Sequence, residues 1–202
     1  MGDSYTFGFG GEDDEIWPVV LDETLSGCEV VNLGVFAYGI DQQLLKLQDE
    51  GVRYVPDIVV VGLYEDTADW VLLSFRDFSK PRFQLVNDEL QLSNVPVPSP
   101  AELLSQYQHR VPPSYAWHWL QQRFRRGSGT RQLVSGEQRA TQKKLTRAIV
   151  REMRREIGDC GAKMLVVFIP ANLYTGDSAA TIPLRDQLAA WSAELDYAFL
   201  DL

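Results

Sequence analysis

Two uninterrupted apolar runs constrain the fold of this chain more than any other feature. The first lies in residues 56–64, where turn residues bound it, and the second in residues 163–169. Apolar runs of this length without alternation are typical of strands that are buried on both faces of a parallel sheet. Between them, residues 137–158 predict a long amphipathic helix, whose apolar positions recur every four residues: Leu145, Ile149, Met153 and Ile157.

Shorter patterns extend this alternation of strands and helices along the chain. We expect helices at residues 16–25, 41–47 and 184–195, and strands at residues 29–35 and 197–200. Right-handed crossovers between such strands give a mostly parallel sheet with helices on both faces. The predicted fold class is therefore α/β, a three-layer sandwich. A single domain over residues 1–202 is the simplest organisation.

An insertion at about residues 76–135 interrupts the alternation. Residues 82–86 and 90–92 flank a turn at residues 87–89, which predicts an inserted hairpin. The proline-rich stretch after it, residues 94–135, surrounds a helical pattern rich in Tyr, Trp and Gln. We interpret the stretch as a lid, and the alternative is a surface excursion that has no role in substrate choice.

Composition excludes some classes of function. The chain has 202 residues, a formal net charge of −9, 45% apolar and 23% charged residues, values ordinary for a globular enzyme. The negative charge argues against a nucleic-acid partner, because phosphate binding needs clustered Lys and Arg. No apolar run approaches the roughly 20 residues of a membrane span. The sequence does not indicate a compartment.

The first residues carry the candidate nucleophile. Ser4 lies in Gly-Asp-Ser, followed by a glycine-rich turn and then by the acids that precede the first helix, so we expect Ser4 on a loop. The tripeptide alone is weak, since a second copy ends at Ser178. The order of the surrounding segments distinguishes the first copy from the second.

That order resembles the SGNH (GDSL) hydrolase family. Three blocks carry the resemblance: the Gly-Asp-Ser block, residues 32–43 and residues 56–69. The resemblance implies a flavodoxin-like sheet, Ser4 as nucleophile and the backbone N–H groups of Ser4 and Ala37 as oxyanion donors. It also implies a side-chain amide in the third block as a further donor. In acyl transfer, each such donor is worth about 100- to 1000-fold in rate.

Two positions depart from the family pattern. Ala37 stands where the family has glycine, and its N–H donor survives only if the backbone there suits a residue with a Cβ. Where the family has asparagine, the chain has Asp66, or Glu65 in a register one residue shorter. An ionised carboxylate cannot donate, and about 4 Å from an oxyanion it would repel by roughly 4 kcal/mol at an effective dielectric of 20. The alternative for Asp66 is a loop acid or the cap of a helix over residues 67–73.

The general base is the largest gap in the pattern. The family places Asp-x-x-His after its last strand, whereas this sequence stops at Leu202. The only histidines, His109 and His118, lie in the insertion among aromatic residues, and we interpret them as packing or surface residues. Only Met1 and Gly2 precede the motif, where the family has a buried strand. We therefore expect a fragment that by itself has no more than trace hydrolase activity.

The predicted function is a serine ester hydrolase or acyl transfer on a small or polar acyl ester, for example an acetylated carbohydrate, through Ser4. No cofactor or metal is implied, because the sequence has no P-loop, no His/Cys cluster and no glycine fingerprint after a strand. The alternative is a non-catalytic binding domain with the same fold. Covalent labelling of Ser4 by a fluorophosphonate separates the two.

Overall fold

Three parallel strands form the main sheet of this computed structural model. They are β1 (Ile58–Tyr64), β4 (Lys163–Ile169) and β5 (Ala198–Asp201), in the order β1-β4-β5. The structure describes residues 1–108, 114, 116, 119, 136–170 and 183–202, except for the side chains of Asp66 and residues 106–108. All strand pairs in this sheet are parallel. The α/β fold class predicted from the alternation is confirmed.

Most of the helices follow the predicted pattern. In chain order they are α1 (Ser4–Phe7), α2 (Trp17–Thr24), α3 (Ile40–Asp49), α4 (Pro100–Gln108), α5 (Gly136–Asp159) and α6 (Pro183–Leu195). Two 3-10 helices, Gly51–Tyr54 and Glu65–Leu72, flank β1. In the part of the chain that the structure describes, no helix combines the length and apolarity that a bilayer crossing needs.

One face of the sheet holds the apolar core. Alternate residues of β1 and β4 point into it, and α3, α5 and α6 supply the side chains that pack against them. The largest fully buried members include Leu44, Leu47, Leu63, Ile149, Met153, Ile157, Phe168 and Leu188. At about 25 cal/mol per Å² of apolar surface, each such side chain stabilises the fold by roughly 1.5–3 kcal/mol.

Met1 and Gly2 occupy the position beside β1 where a further strand was expected to be missing. The Met1 α-amino group donates to the Val60 carbonyl at 2.7 Å, and the Gly62 N–H donates to the Met1 carbonyl at 2.9 Å. Gly2 forms an isolated parallel bridge with Gly34. The backbone carbonyl of Val60 and the backbone N–H of Gly62 on this edge of β1 are therefore paired. Burial lowers the pKa of the Met1 amino group to about 5.

The predicted strand at residues 29–35 is not formed beyond the bridge at Gly34. Side chains take the backbone donors that a strand ladder would use. The Val30 N–H donates to the Asp22 carboxylate at 2.6 Å, and the Gly34 N–H donates to the Asn32 side-chain oxygen at 2.9 Å. Local side-chain acceptors of this kind compete directly with sheet formation.

The inserted hairpin forms a separate two-stranded sheet. Its strands are β2 (Arg82–Val86) and β3 (Glu89–Ser93), which pair antiparallel. Asn87 and Asp88 connect them with φ of 52° and 65°, as a two-residue type I′ turn requires. The prediction of a hairpin at these residues is confirmed. Most of the proposed lid, including His109 and His118, lies outside the described residues.

Candidate active site

The three sequence blocks meet at the carboxyl edge of β1. The parallel Gly2–Gly34 bridge aligns the first block with the second, and the Val35 N–H donates to the Gly2 carbonyl at 3.1 Å. The ring of Tyr5 lies 5.3 Å from that of Tyr64, the last residue of β1. Ligands of open α/β sheets bind at this edge, where the connecting loops gather.

Ser4 is the first residue of helix α1 rather than a loop residue, which corrects the expectation from its glycine-rich surroundings. Asp3 caps this helix, and its carboxylate accepts the Tyr5 N–H at 3.0 Å. The turn is stabilised further by the Phe7 N–H, which donates to the Asp3 carbonyl at 2.8 Å. The first N–H groups of a helix have no acceptor within the helix. The Ser4 N–H, as the first of this helix, has no acceptor within it.

Three glycines allow α1 to lie against the sheet. A Cβ built on Gly34 would lie 2.5 Å from the Phe7 backbone nitrogen, and one built on Gly2 would lie 1.9 Å from the Thr6 hydroxyl oxygen. A Cβ on Gly62 of β1 would approach the same hydroxyl to 2.9 Å. Thr6 itself is 1% exposed. The position of Ser4 therefore depends on a close backbone approach at Gly34 and on the space that Gly2 and Gly62 leave for the Thr6 side chain.

Asn32 links the second block to α1. Its side-chain nitrogen donates to the Thr6 carbonyl at 3.0 Å, while its oxygen accepts the Gly34 N–H at 2.9 Å. The Asn32 side chain thus provides a hydrogen-bond partner for a carbonyl of α1 and for the backbone N–H of Gly34. Both hydrogen bonds of Asn32 are structural.

Ala37 adopts φ of 65°, in the left-handed region that favours glycine. A non-glycine residue there costs roughly 1–2 kcal/mol. The turn is supported by the Tyr38 N–H, which donates to the Val35 carbonyl at 3.2 Å. The backbone shape that glycine would give is therefore kept by an alanine, as the predicted donor role requires.

The third block continues from β1 into the 3-10 helix Glu65–Leu72. The Thr67 hydroxyl donates to the Tyr64 carbonyl and is fully buried, so Thr67 fixes the start of this helix. Asp66 lies in its first turn, at the expected edge of the sheet, and its side chain lies outside the described atoms. The helix predicted over residues 67–73 is present as a 3-10 helix.

Asp3 is almost completely buried beside the nucleophile. It is 1% exposed, and its second carboxylate oxygen has no hydrogen-bond partner among the described residues. Burial raises the pKa of this carboxyl above its usual value, although the hydrogen bond from Tyr5 and the charge of Arg76 act against the rise.

Sequence reasoning missed a group of charges behind the site. Lys80 forms a buried ion pair with Asp41, the second residue of α3. Burial lowers the pKa of Lys80 and raises that of Asp41, while each partner's charge opposes the other's shift. Arg76 lies over the ring of Trp70, 3.3 Å from its centroid. The available signal was a pair of basic residues directly after the third block of an acidic chain.

The described part of the chain contains no histidine, since both histidines of the sequence lie outside it. It also contains no group of three His, Cys, Asp or Glu residues that could hold a metal ion. The structure therefore brings Ser4, Ala37 and the first turn with Asp66 to one edge of the sheet, and it assigns no base to them.

Comparison with known proteins supports the fold. No family model matches the sequence, and no curated protein matches it significantly. A structure from Desulfitobacterium hafniense DCB-2, described as that of a candidate lipolytic protein of the G-D-S-L family, matches with a TM-score of 0.52 and 17% identity. The match covers 100% of this chain and 74% of the other. The chain therefore has an α/β fold like that of this protein.

Proposed function

We propose that this chain is an SGNH-type serine ester hydrolase or acyl-transfer protein that acts through Ser4. The observation that carries the proposal is the position of Ser4 at the start of α1, at the carboxyl edge of β1. The Ala37 turn is joined to that edge through the Gly2–Gly34 bridge. The block that carries Ser4 and the block that carries Ala37 therefore lie side by side at this edge.

In this mechanism the Ser4 hydroxyl attacks the acyl carbonyl. The Ser4 N–H and the Ala37 N–H donate to the oxygen that becomes negatively charged, and such fixed donors stabilise the tetrahedral intermediate. The left-handed conformation of Ala37 supports its role, because it is the conformation that a glycine at this turn would supply. Asp66 contributes a donor only in its protonated form.

The base that removes the Ser4 proton comes from outside the described residues. His109 and His118 are the histidines of this chain, and a histidine from another chain segment or protein is the alternative. The substrate is a small or polar acyl ester, for example an acetylated carbohydrate, and the reaction needs no cofactor.

The test compares Ser4→Ala with Ser178→Ala, the serine of the second Gly-Asp-Ser copy, and both variants and the parent are made in the full-length protein. Hydrolysis of 4-methylumbelliferyl acetate and fluorophosphonate labelling, located by mass spectrometry, are measured for both. We expect Ser4→Ala to lose at least about 1000-fold in rate and all labelling, while Ser178→Ala keeps both. Equal labelling of Ser4→Ala and the parent would sink the assignment, and an unlabelled, inactive parent would favour a non-catalytic binding domain.

A further inference from the structure

Arg76 is held at the rim of the candidate site by two contacts. Its guanidinium lies 3.3 Å from the centroid of the Trp70 ring, and its Nη1 donates to the Ala37 carbonyl at 3.4 Å. Cation–π stacking and a carbonyl acceptor together fix the plane of the guanidinium. The residue whose N–H is the proposed oxyanion donor is therefore the residue that also positions this cation.

A chain of rings connects Arg76 to the nucleophile from the other side. Tyr5, next to Ser4, contacts Tyr64 at 5.3 Å, and Tyr64 contacts Trp70 at 5.8 Å. Trp70 in turn carries the guanidinium. The contacts run from Tyr5, the residue after Ser4, through these rings to Arg76, which contacts Ala37.

The guanidinium keeps donors for a ligand. One face is covered by Trp70, and the side chain remains 32% exposed. Its Nε forms an ion pair with the Asp77 carboxylate at 3.6 Å, a distance longer than a hydrogen bond, and the Asp77 side chain is 54% exposed. Apart from Ala37, no described residue accepts a hydrogen bond from Arg76. The free edge is the part of arginine that binds a carboxylate with two parallel hydrogen bonds.

The distance suits a short spacer between the two groups of a ligand. The N–H and C=O of one residue are separated by no more than about 4 Å, by the sum of the backbone bond lengths. The Arg76 Nη1 therefore lies within roughly 8 Å of the Ala37 nitrogen. One or two methylene groups between the reacting carbonyl and a negatively charged group fit this distance.

Local charges favour a monoanion. Lys80 is neutralised by its pairing with Asp41, and Arg82, whose charge also acts on Lys80, donates to the Leu72 carbonyl at 3.0 Å. Arg76 is therefore the partly exposed cation that we consider for a ligand. Two acids face it, the buried Asp3, whose pKa the charge of Arg76 lowers, and the half-exposed Asp77. A carboxylate, with one charge and a planar pair of oxygens, is opposed less by these acids than a phosphate dianion.

We propose that Arg76 is a specificity residue that binds a carboxylate in the acyl part of the substrate, so that the preferred esters are half-esters of short dicarboxylic acids. This inference rests on the proposed function. It predicts a preference for an anionic acyl group over a neutral acyl group of the same length.

The kinetic test compares p-nitrophenyl hemisuccinate with p-nitrophenyl pentanoate. We expect the parent to prefer the anionic ester in kcat/KM, and Arg76→Gln to reduce the preference at least 10-fold, with most of the change in KM. Arg76→Lys, which keeps the charge but not the planar fork, should recover it only in part. The control is Arg53→Gln, an exposed arginine on the 3-10 helix Gly51–Tyr54, which should leave the preference unchanged.

A binding test separates this inference from the proposed function. The indole N–H resonance of Trp70, assigned with Trp70→Phe, is followed in Ser4→Ala protein during titration with monomethyl succinate, dimethyl succinate or inorganic phosphate. We expect a saturable shift with monomethyl succinate alone, and none in the Ser4→Ala, Arg76→Gln protein. If the Trp70 resonance shifts but no Ser4-dependent hydrolysis is found, the carboxylate site is supported and the proposed esterase function is wrong. No shift and no preference in kcat/KM, or an equal response to phosphate, would overturn the carboxylate site.

Discussion

The face of the sheet under α5 and the region around α1 are built differently. The first is filled by large apolar side chains such as Ile149 and Phe168, whereas the second consists of glycine backbone, a buried threonine and a buried carboxylate. Apolar packing adapts to small changes, since a neighbouring side chain can shift. Backbone that touches backbone cannot shift locally. We therefore expect substitutions in the first region to change mainly the stability of the fold. Substitutions in the second region should change mainly the position of Ser4.

The largest effect is expected at Gly34, which tests most directly whether the region around α1 tolerates a small change. Gly34→Ala would push α1 away from the second block, because its Cβ would lie 2.5 Å from the Phe7 nitrogen. A displacement of about 1 Å typically costs roughly 100-fold in rate. We expect a loss of that size in Ser4-dependent kcat/KM for an acetyl ester.

The matched control is Gly11→Ala in the same segment. A Cβ there meets nothing nearer than 3.8 Å, and Gly11 is not among the glycines with positive φ, so activity should stay within about 2-fold of the parent. If both variants keep parental activity, the region around α1 is as adaptable as the core and the contrast fails.

Ile149→Ala sharpens the comparison from the other side. Ile149 is fully buried on α5, and its truncation should lower the free energy of unfolding by about 2–5 kcal/mol. Urea unfolding measures the loss, with the exposed Lys143→Ala as a control expected within about 0.5 kcal/mol. Fluorophosphonate labelling of the folded fraction should keep the parental rate, and a slower rate would show that the two regions are coupled.

Ala37 tests how much backbone strain the site region carries. Ala37→Val should destabilise the protein by about 1 kcal/mol or more, because a β-branched residue at φ of 65° is strongly disfavoured. Ala37→Gly should change stability by less than about 1 kcal/mol, since relief of strain is offset by a more flexible unfolded chain. Thermal unfolding of the pair measures the difference. Val and Gly variants of equal stability would contradict the left-handed turn.

The smallest expected effect is a change in pH dependence on Asp3→Asn. Burial raises the pKa of Asp3 above the usual 3.8, so above that pH the folded protein holds a proton that the unfolded chain has lost. The free energy of unfolding of the parent should therefore fall as pH rises through this interval, by the linkage relation. Asn keeps an acceptor for the Tyr5 N–H and removes the titration.

The measurement is urea unfolding of both proteins between pH 4 and pH 7. The fall in the free energy of unfolding should be smaller in the Asp3→Asn variant, because the titration of Asp3 is removed. Some fall should remain in both proteins, because the pKa of Asp41 is also raised. A fall of the same size in the two proteins would mean that Asp3 does not carry this titration.

Sequence reasoning succeeded where local pattern and burial agree. The buried strands, the long helix and the hairpin turn at Asn87 and Asp88 were all predictable, because each depends on periodicity or on a turn type. The helix at Ser4 was not, because glycines near it suggested a loop while the cap by Asp3 decided the outcome. The Arg76 and Trp70 pair was not predictable either, since six residues of sequence separation carry no signal for stacking across a turn.

The buried ion pair of Lys80 and Asp41 couples the hairpin to the turn that contains Ala37. Lys80 precedes β2, and Asp41 lies in the first turn of α3, directly after the turn that contains Ala37. Opening either segment alone would leave one charge in an apolar interior, which typically costs about 3–5 kcal/mol. Amide hydrogen exchange of the two segments should therefore proceed as one cooperative unit. The hairpin would then stabilise the turn that contains Ala37 without taking part in the reaction.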